Sequence, residues 1–169
     1  MILESKIILI IGMPGCGKST IGKKVAEKLK FLFIDLDNYI EENFGETIKE
    51  MFNKGEKYFR ELETKGIEEL AGIQTPFVLS TGGGVVCNPY NMEILKDKCC
   101  VIFIDRPISD IAQDIDFKSR PLLSSGIQDL YELYRTRYPQ YKRYSDFIII
   151  NNCSINNAVD DIINVLISS

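Results

Sequence analysis

Gly12-Met13-Pro14-Gly15-Cys16-Gly17-Lys18-Ser19 is the stretch that decides how the rest of this sequence folds. It follows the apolar run at residues 7–11 and precedes a helical pattern that begins at Thr20. A buried strand that breaks into glycines and continues as a helix turns successive backbone N–H groups into a concavity, at the positive end of the helix dipole. Such a concavity binds anionic oxygens. With this spacing, Lys18 is expected to reach the β- and γ-phosphates of a nucleotide, and the Ser19 hydroxyl to ligate Mg²⁺.

The stretch therefore predicts a phosphate-binding loop for ATP and Mg²⁺. The residues expected to contact the nucleotide are Gly15, Cys16, Gly17, Lys18, Ser19 and Thr20. The alternative is a glycine-rich turn in which Gly-Lys-Ser occurs by chance. That alternative requires the glycine spacing, the preceding strand pattern and the following helix pattern to coincide.

Composition limits the fold and its partners. With 169 residues, of which 45% are hydrophobic, the chain is long enough for one domain over residues 1–169 and short for two. The net charge of −4 provides no general basic field for nucleic acid or an anionic membrane, so we expect neither as a partner. The absence of histidine leaves acid–base chemistry to carboxylates and lysines.

The cysteines and the N-terminus indicate a compartment. The five cysteines are odd in number and show no C-x-x-C spacing, which is typical of reduced thiols in the cytosol. Cys16, within the loop, is the thiol that we expect to be exposed to oxidants. The first residues are interrupted by Glu4 and Lys6 and are too short and too charged for a signal peptide. We therefore expect a cytoplasmic protein.

Strand and helix patterns alternate along the chain. Apolar runs of strand length occur at residues 7–11, 31–34, 77–79, 101–104 and 147–150. Because the runs are continuous, they indicate strands covered on both faces. The pattern predicts an α/β fold with a central five-stranded parallel sheet and helices on both faces, whose ligand lies at the carboxyl ends of the strands. Residues 37–72 predict a helical substrate-binding insertion, and residues 114–126 predict a short mobile lid.

Two carboxylates follow the second strand. Alternate side chains of an extended chain share a face, so Asp35 and Asp37 are expected to point the same way. Asp35, nearer the strand, is the candidate for the magnesium site, and Asp37 then faces the acceptor hydroxyl. The alternative use of Asp37 is as the N-cap of a helix that begins at Tyr39.

Three consecutive glycines follow the third strand. Gly82, Gly83 and Gly84 are costly in backbone entropy and hard to justify for a simple chain reversal. They predict close approach of the backbone to a ligand, with N–H groups presented to hydroxyls or to the transferred phosphoryl group. The alternative is a flexible connection.

Three arginines are candidates for binding anions. Arg60 has Glu63 at i+3, and considered alone it suggests a surface ion pair. Arg137 lies two residues before Pro139, which is expected to distort its helix. Arg120 precedes Pro121 in the predicted mobile segment, where it could close over the triphosphate and stabilise charge.

The ordered set of motifs resembles the shikimate kinases. The resemblance rests on residues 12–20, Asp35-x-Asp37, Phe59-Arg60-x-x-Glu63, Gly82-Gly83-Gly84, Arg120-Pro121-Leu122-Leu123 and Arg137-x-Pro139-x-Tyr141. It implies a P-loop kinase fold and transfer of the ATP γ-phosphate to the 3-hydroxyl of shikimate. The catalytic residues implied are Lys18, Asp37 and Arg120. The implied shikimate ligands are Asp37, Arg60, Gly82, Gly83, Gly84 and Arg137, and the magnesium ligands are Ser19 and Asp35.

The sequence departs from the family near the adenine. Members often carry an arginine about two helical turns before Arg120, where this chain has Gln113. They also often carry one in the loop after the last strand, where residues 151–154 read Asn-Asn-Cys-Ser. The departures predict looser nucleotide affinity or base selectivity.

Two other functions are compatible with parts of the pattern. One is a kinase of another small substrate, such as gluconate or a nucleoside monophosphate. The other is a regulatory module that binds ATP without transferring phosphate, although such a module has no need of the acceptor-side carboxylate Asp37. We expect the protein to be a monomer.

Overall fold

A parallel β-sheet forms the centre of the computed structural model, which describes residues 7–168. Its strands are β1 (Ile7–Ile11), β2 (Leu32–Asp35), β3 (Phe77–Ser80), β4 (Cys99–Asp105) and β5 (Phe147–Ile150). The strand order is β2-β3-β1-β4-β5, and every neighbouring pair is parallel. The predicted domain begins at residue 1, but residues 1–6 and 169, including Glu4 and Lys6, lie outside the described residues.

Helices connect the strands. They are α1 (Lys18–Leu29), α2 (Leu36–Phe44), α3 (Ile48–Lys54), α4 (Glu56–Leu70), α5 (Pro89–Leu95), α6 (Ile108–Asp114), α7 (Ile127–Tyr144) and α8 (Ile155–Ser168). Short 3₁₀ turns occur at Val85–Cys87 and Pro121–Leu123. Within residues 7–168, none of the helices has both the length and the apolar character that crossing a bilayer demands.

Helices cover both faces of the sheet, as the sequence predicts. Gly22 of α1 lies against Ile10 and Val78, which face the same side because side chains of paired parallel strands share a face. On the opposite side, Tyr141 of α7 stacks on Phe103 of β4, with ring centroids 5.2 Å apart. The sheet therefore lies between two helical layers, with its core on both faces.

The two edge strands are less covered than the sequence predicts. Leu32 in β2 is 56% exposed and Ile150 in β5 is 52% exposed, whereas β1 is buried throughout. The reason is position in the sheet, because an edge strand has a neighbour on one side only. An apolar run identifies a strand without stating whether the strand lies at the centre or at the edge.

The predicted insertion is present as α2, α3 and α4. These helices lie between β2 and β3. Gly45 ends α2 with φ at 70°, in the left-handed region that favours glycine. Thr47 and Glu50 then form a capping box that starts α3. The local sequence thus divides the insertion into separate helices.

Pro139, which was predicted to distort its helix, does not end α7. The helix continues from Ile127 to Tyr144 with Pro139 in its interior. Proline removes one backbone hydrogen bond, but the packing of Tyr141 against the sheet holds the following turn in place.

The close approach of α1 to the sheet requires glycine at position 22. A Cβ atom at Gly22 would lie 3.0 Å from Phe33 Cε2 and 3.2 Å from Ile10 Cδ1. We expect Gly22→Val to lower the free energy of unfolding by about 1–3 kcal/mol through overpacking, as measured by urea denaturation. The control is Lys23→Val, on the exposed side of the same helix, with an expected effect below about 0.5 kcal/mol. Equal losses in the two variants would contradict this account.

Candidate active site

The phosphate-binding loop contains three glycines with positive φ, the first of which is Gly12 at 150°. Gly15 has φ of 78° and Gly17 has φ of 100°, values that a residue with a side chain rarely adopts. These conformations allow the chain to leave buried β1 and begin α1 at Lys18 within a few residues. The N-terminus of α1 therefore points toward the carboxyl edge of the sheet, where an anion would bind.

The Lys18 side chain closes the loop from inside. Its Nζ donates hydrogen bonds to the carbonyl oxygens of Gly12 at 2.9 Å and Met13 at 2.8 Å. Only 8% of Lys18 is exposed, and it lines a cavity of about 300 Å³ together with Ser19 and Thr20. A buried ammonium beside a glycine-lined cavity fits the phosphates of a nucleotide.

Cys16 is not exposed, contrary to the prediction. The residue has 0% of its surface exposed, and burial raises the pKa of its thiol above the ordinary value. The Sγ atom lies 3.8 Å from Lys18 Nζ. The loop therefore offers its backbone rather than its thiol to the solvent, because Cys16 points inward between β1 and the loop.

Ser19 and Asp35 lie together at the predicted magnesium site. Ser19 Oγ donates to Asp35 Oδ2 at 2.5 Å. This leaves lone pairs of the hydroxyl oxygen available to a cation. A hydroxyl and a carboxylate oxygen side by side fit Mg²⁺, which commonly takes one or two protein ligands and completes its shell with water and phosphate oxygens.

Asp35, not Asp37, caps the helix that follows β2. Its Oδ1 accepts hydrogen bonds from the backbone N–H groups of Asp37 at 3.1 Å and Asn38 at 3.3 Å. This cap starts α2 at Leu36 rather than at Tyr39. The two carboxylates therefore do not alternate along a strand, because Asp37 already lies in the first helical turn.

A second cavity of about 250 Å³ adjoins the phosphate-binding cavity. Its lining includes Phe52, Phe59, Arg60, Gly84, Leu133, Arg137 and the Pro121–Leu123 turn. Both cavities are lined by Pro14, Asp37, Gly82, Gly83 and Arg120. The structure thus brings the predicted nucleotide residues and the predicted acceptor residues to two spaces that meet.

Asp37 lies where the two cavities meet, and its carboxyl group has an unpartnered oxygen and a raised pKa. Its Oδ1 is buried and has no hydrogen-bond partner among the described residues. Burial and the neighbouring Asp35 carboxylate raise the pKa of Asp37 to about 6, against the opposing effect of Lys18. An unpartnered buried carboxylate oxygen costs free energy, so it is well placed to accept a hydrogen bond from a ligand hydroxyl.

The glycine triplet admits neighbours that a side chain would exclude. A Cβ atom at Gly83 would lie 2.7 Å from Pro14 Cδ, and one at Gly84 would overlap the Arg60 guanidinium. The carbonyl of Gly83 accepts a hydrogen bond from the Tyr141 hydroxyl. The triplet is therefore fixed in place by its neighbours and packs against Arg60, and it is not a flexible connection.

Arg60 forms a buried ion pair, not a surface pair. Its Nη1 donates to both carboxylate oxygens of Glu63, at 3.0 and 2.9 Å, and Glu63 is 0% exposed. Its Nη2 also lies 3.2 Å from Glu56 Oε1. The two carboxylates orient the Arg60 guanidinium at the wall of the acceptor cavity.

Arg137 and Arg120 complete the cavity from two directions. Arg137 is 5% exposed and projects from α7. Within residues 7–168, no carboxylate lies within 4.0 Å of its guanidinium nitrogens. Arg120 is exposed and precedes the Pro121–Leu123 turn over the same cavity. Arg137 is thus a buried cation without a direct carboxylate contact in that part of the chain, although its charge, like that of Arg60, opposes the raised pKa of buried Glu63.

A family model described as shikimate kinase matches residues 14–167. The chain belongs to the shikimate kinase family.

Individual shikimate kinases match over nearly the full length. The chain is 46% identical to the shikimate kinase of Clostridium beijerinckii over 167 residues, which cover 99% of this chain and 98% of the relative. A shikimate kinase of Acinetobacter baumannii, solved in complex with shikimate, has a TM-score of 0.90 at 33% identity and covers 96% of this chain and 93% of its own. The enzyme of Aquifex aeolicus has a TM-score of 0.83 at 29% identity, with 96% of each chain covered.

A gluconokinase from Sinorhizobium meliloti is similar in fold only. Its TM-score is 0.61 at 16% identity, with 97% of this chain and 93% of its own covered. The P-loop kinase fold is therefore shared beyond the family, and fold alone does not separate acceptors.

Three features of the site were not predicted. The first is the burial of Glu63, whose pairing with Arg60 was expected at the surface; the positions of Phe59, Leu62 and Gly66 indicate the buried stripe of α4, so helical periodicity could have found it. The second is the contact of Tyr141 with the glycine triplet. The third is the hydrogen bond from Arg106 to the Gly15 carbonyl oxygen, which the position of Arg106 directly after β4, at the carboxyl edge of the sheet, could have indicated.

The raised pKa of Asp37 has a consequence for stability. The folded value of about 6 exceeds the ordinary 3.8, so this carboxyl contributes stability below about pH 4 that is lost as the pH rises through 6. We expect Asp37→Asn to be more stable than the wild type at pH 7, by about 1–3 kcal/mol, and to approach it at pH 4. Chemical denaturation from pH 4 to 8 measures the difference. Glu61→Gln, at an exposed carboxylate, is the control, and a pH-independent difference for Asp37→Asn would contradict the assignment.

Proposed function

We propose that the protein transfers the γ-phosphoryl group of ATP to the 3-hydroxyl of shikimate. The observation that carries the proposal is the meeting of two cavities at the unpartnered Asp37 oxygen. One cavity contains the phosphate-binding loop, and the other contains two arginines and the glycine triplet. Membership of the shikimate kinase family supports shikimate as the acceptor.

On the donor side, the loop backbone and Lys18 would hold the phosphates. In the free protein, Lys18 is bonded to two loop carbonyls, and phosphate oxygens would replace them as partners. Ser19, oriented by Asp35, would hold Mg²⁺. Mg²⁺ held there would supply positive charge to neutralise the charge that develops on the phosphates. Arg120, which lines both cavities, would stabilise the same charge from the acceptor side.

On the acceptor side, the arginines differ in available charge. Arg60 is already paired with Glu63 and Glu56, whereas Arg137 is buried without a carboxylate partner in the described chain. Arg137 is therefore the principal ligand for the shikimate carboxylate, and Arg60 assists. Asp37 and the backbone of Gly82–84 would bind the ring hydroxyls.

Phosphoryl transfer requires positioning and charge neutralisation more than covalent chemistry by the protein. Asp37 orients the acceptor hydroxyl, accepts its hydrogen bond and takes its proton as the phosphoryl group arrives. Its raised pKa suits this task near neutral pH, because the group is ionised but still a better base than an ordinary carboxylate.

We further propose that the protein acts as a monomer with one domain, because the donor and acceptor cavities meet at Asp37 and Arg120 of the same chain. Residues 114–126, of which Pro121–Leu123 line the acceptor cavity, would act as a mobile lid. The cysteines, free of disulfides in residues 7–168, are compatible with the cytoplasm.

A coupled assay of ADP release across three acceptors tests the function. We expect ATP-dependent turnover with shikimate and at least 100-fold lower kcat/KM with gluconate or a nucleoside monophosphate. A higher kcat/KM with gluconate than with shikimate would mean that gluconate, not shikimate, is the substrate. Binding of ATP without turnover on any acceptor would favour the regulatory module.

Substitution of Arg137 tests whether shikimate binding can be weakened without weakening ATP binding. Arg137→Ala should raise the KM for shikimate by about 10- to 100-fold, since a charge-assisted bond to the carboxylate is lost, and leave the KM for ATP within about twofold. Arg135→Ala is the matched control, because this exposed arginine lies on the same helix and its ion pair, within residues 7–168, is with Glu132. A selective loss of ATP affinity in Arg137→Ala would assign the residue to the other cavity.

A further inference from the structure

Two side chains from the ends of neighbouring strands contact the outer side of the phosphate-binding loop. Arg106, which follows β4, donates from Nη1 to the Gly15 carbonyl oxygen at 3.1 Å. Asn151, which follows β5, donates from Nδ2 to the Cys16 carbonyl oxygen at 3.0 Å. Two successive carbonyls of the loop are thus held from outside by side chains more than 90 residues away in sequence.

Arg106 has a second partner that fixes its orientation. Its Nη2 forms an ion pair with Asp114, the last residue of α6. The Arg106 side chain is 22% exposed, whereas that of Asp114 is 64% exposed. The guanidinium therefore joins the loop to the end of α6, and its planar fork suits two partners at once.

The two contacts fix two successive peptides of the loop. The peptide held by Arg106 carries the Cys16 N–H, which donates to the Met13 carbonyl oxygen at 3.2 Å and so closes the turn of the loop. In a trans peptide the C=O and N–H groups of one plane point in opposite directions. The peptide that carries the Cys16 carbonyl also carries the Gly17 N–H, so a donor held on the outer side directs that N–H toward the cavity. The glycines at positive φ are otherwise free to adopt many conformations.

We propose that Arg106 and Asn151 are positioning residues that set nucleotide affinity by holding the loop in its binding conformation. The proposal rests on the proposed function in taking a nucleotide as the ligand of the loop. Neither side chain lines the phosphate-binding cavity, so each acts through the loop backbone. A loop that is already ordered loses less conformational entropy when the nucleotide binds, so its affinity for the nucleotide is higher.

Calorimetric titration with ADP and Mg²⁺ tests the proposal on the full chain. Arg106→Ala should raise the Kd for ADP by about tenfold, and Asn151→Ala by about three- to tenfold. Arg106→Lys retains one cationic donor and should recover part of the affinity. Arg135→Ala is the control with an expected Kd equal to that of the wild type.

Steady-state kinetics separate positioning from loss of fold. In both alanine variants the KM for ATP should rise while the KM for shikimate stays within about twofold, and the melting temperature without ligand should fall by no more than a few degrees. An unchanged Kd for ADP in both alanine variants would overturn the proposal, and so would a parallel rise in the two KM values. Failure of the wild type to use shikimate would overturn the proposed function alone, because ADP binding needs no acceptor.

Discussion

The turn from β1 into α1 is the constraint on which the rest of the structure depends. Buried β1 lies at the centre of the sheet, and α1 must begin within a few residues of its end. The connection uses positive φ values at Gly12, Gly15 and Gly17, which residues with a side chain rarely adopt. The same geometry directs the helix N-terminus at the carboxyl edge of the sheet. Anion binding is therefore a consequence of the connection rather than an addition to it.

The acceptor cavity is surrounded by buried charged side chains, which are costly for stability. Glu63 is completely buried, and burial raises its pKa, although the Arg60 guanidinium opposes that shift. Asp37 lies nearby with an unpartnered oxygen, and Arg137 is buried without a carboxylate. Buried charges of this kind are retained at functional sites despite their cost in stability. A ligand that carries one carboxylate and several hydroxyls would provide a partner for Arg137 and for the Asp37 oxygen at once.

The sequence predicted most of the donor side. Strands β1 and β5 have the predicted bounds, and β2, β3 and β4 differ by a few residues at their ends. Ser19 and Asp35 lie together as predicted. These inferences succeeded because they depend on local properties, namely apolar runs, glycine spacing and residues that follow strand ends in a parallel sheet.

The sequence was less informative where side-chain burial decides the outcome. The pairing of Arg60 with Glu63 was visible at i+3, but its burial was not. Cys16 was expected at the surface and is enclosed. Asp35 took the capping role that was considered for Asp37, because α2 begins at Leu36, directly after the strand, rather than at Tyr39. Each difference depends on neighbours from other elements.

By itself, the sequence determined the fold class and the glycine-rich turn between β1 and α1, and it named the candidate residues for nucleotide and acceptor. Periodicity and backbone preference are local and can be read along the chain. Only the tertiary structure decided which cations form direct ion pairs, since Arg60 contacts Glu63 and Glu56 while Arg137 contacts no carboxylate among residues 7–168. It alone brought Arg106 and Asn151 behind the loop. Those contacts join residues distant in sequence, and their distances are set by how the strands and helices pack.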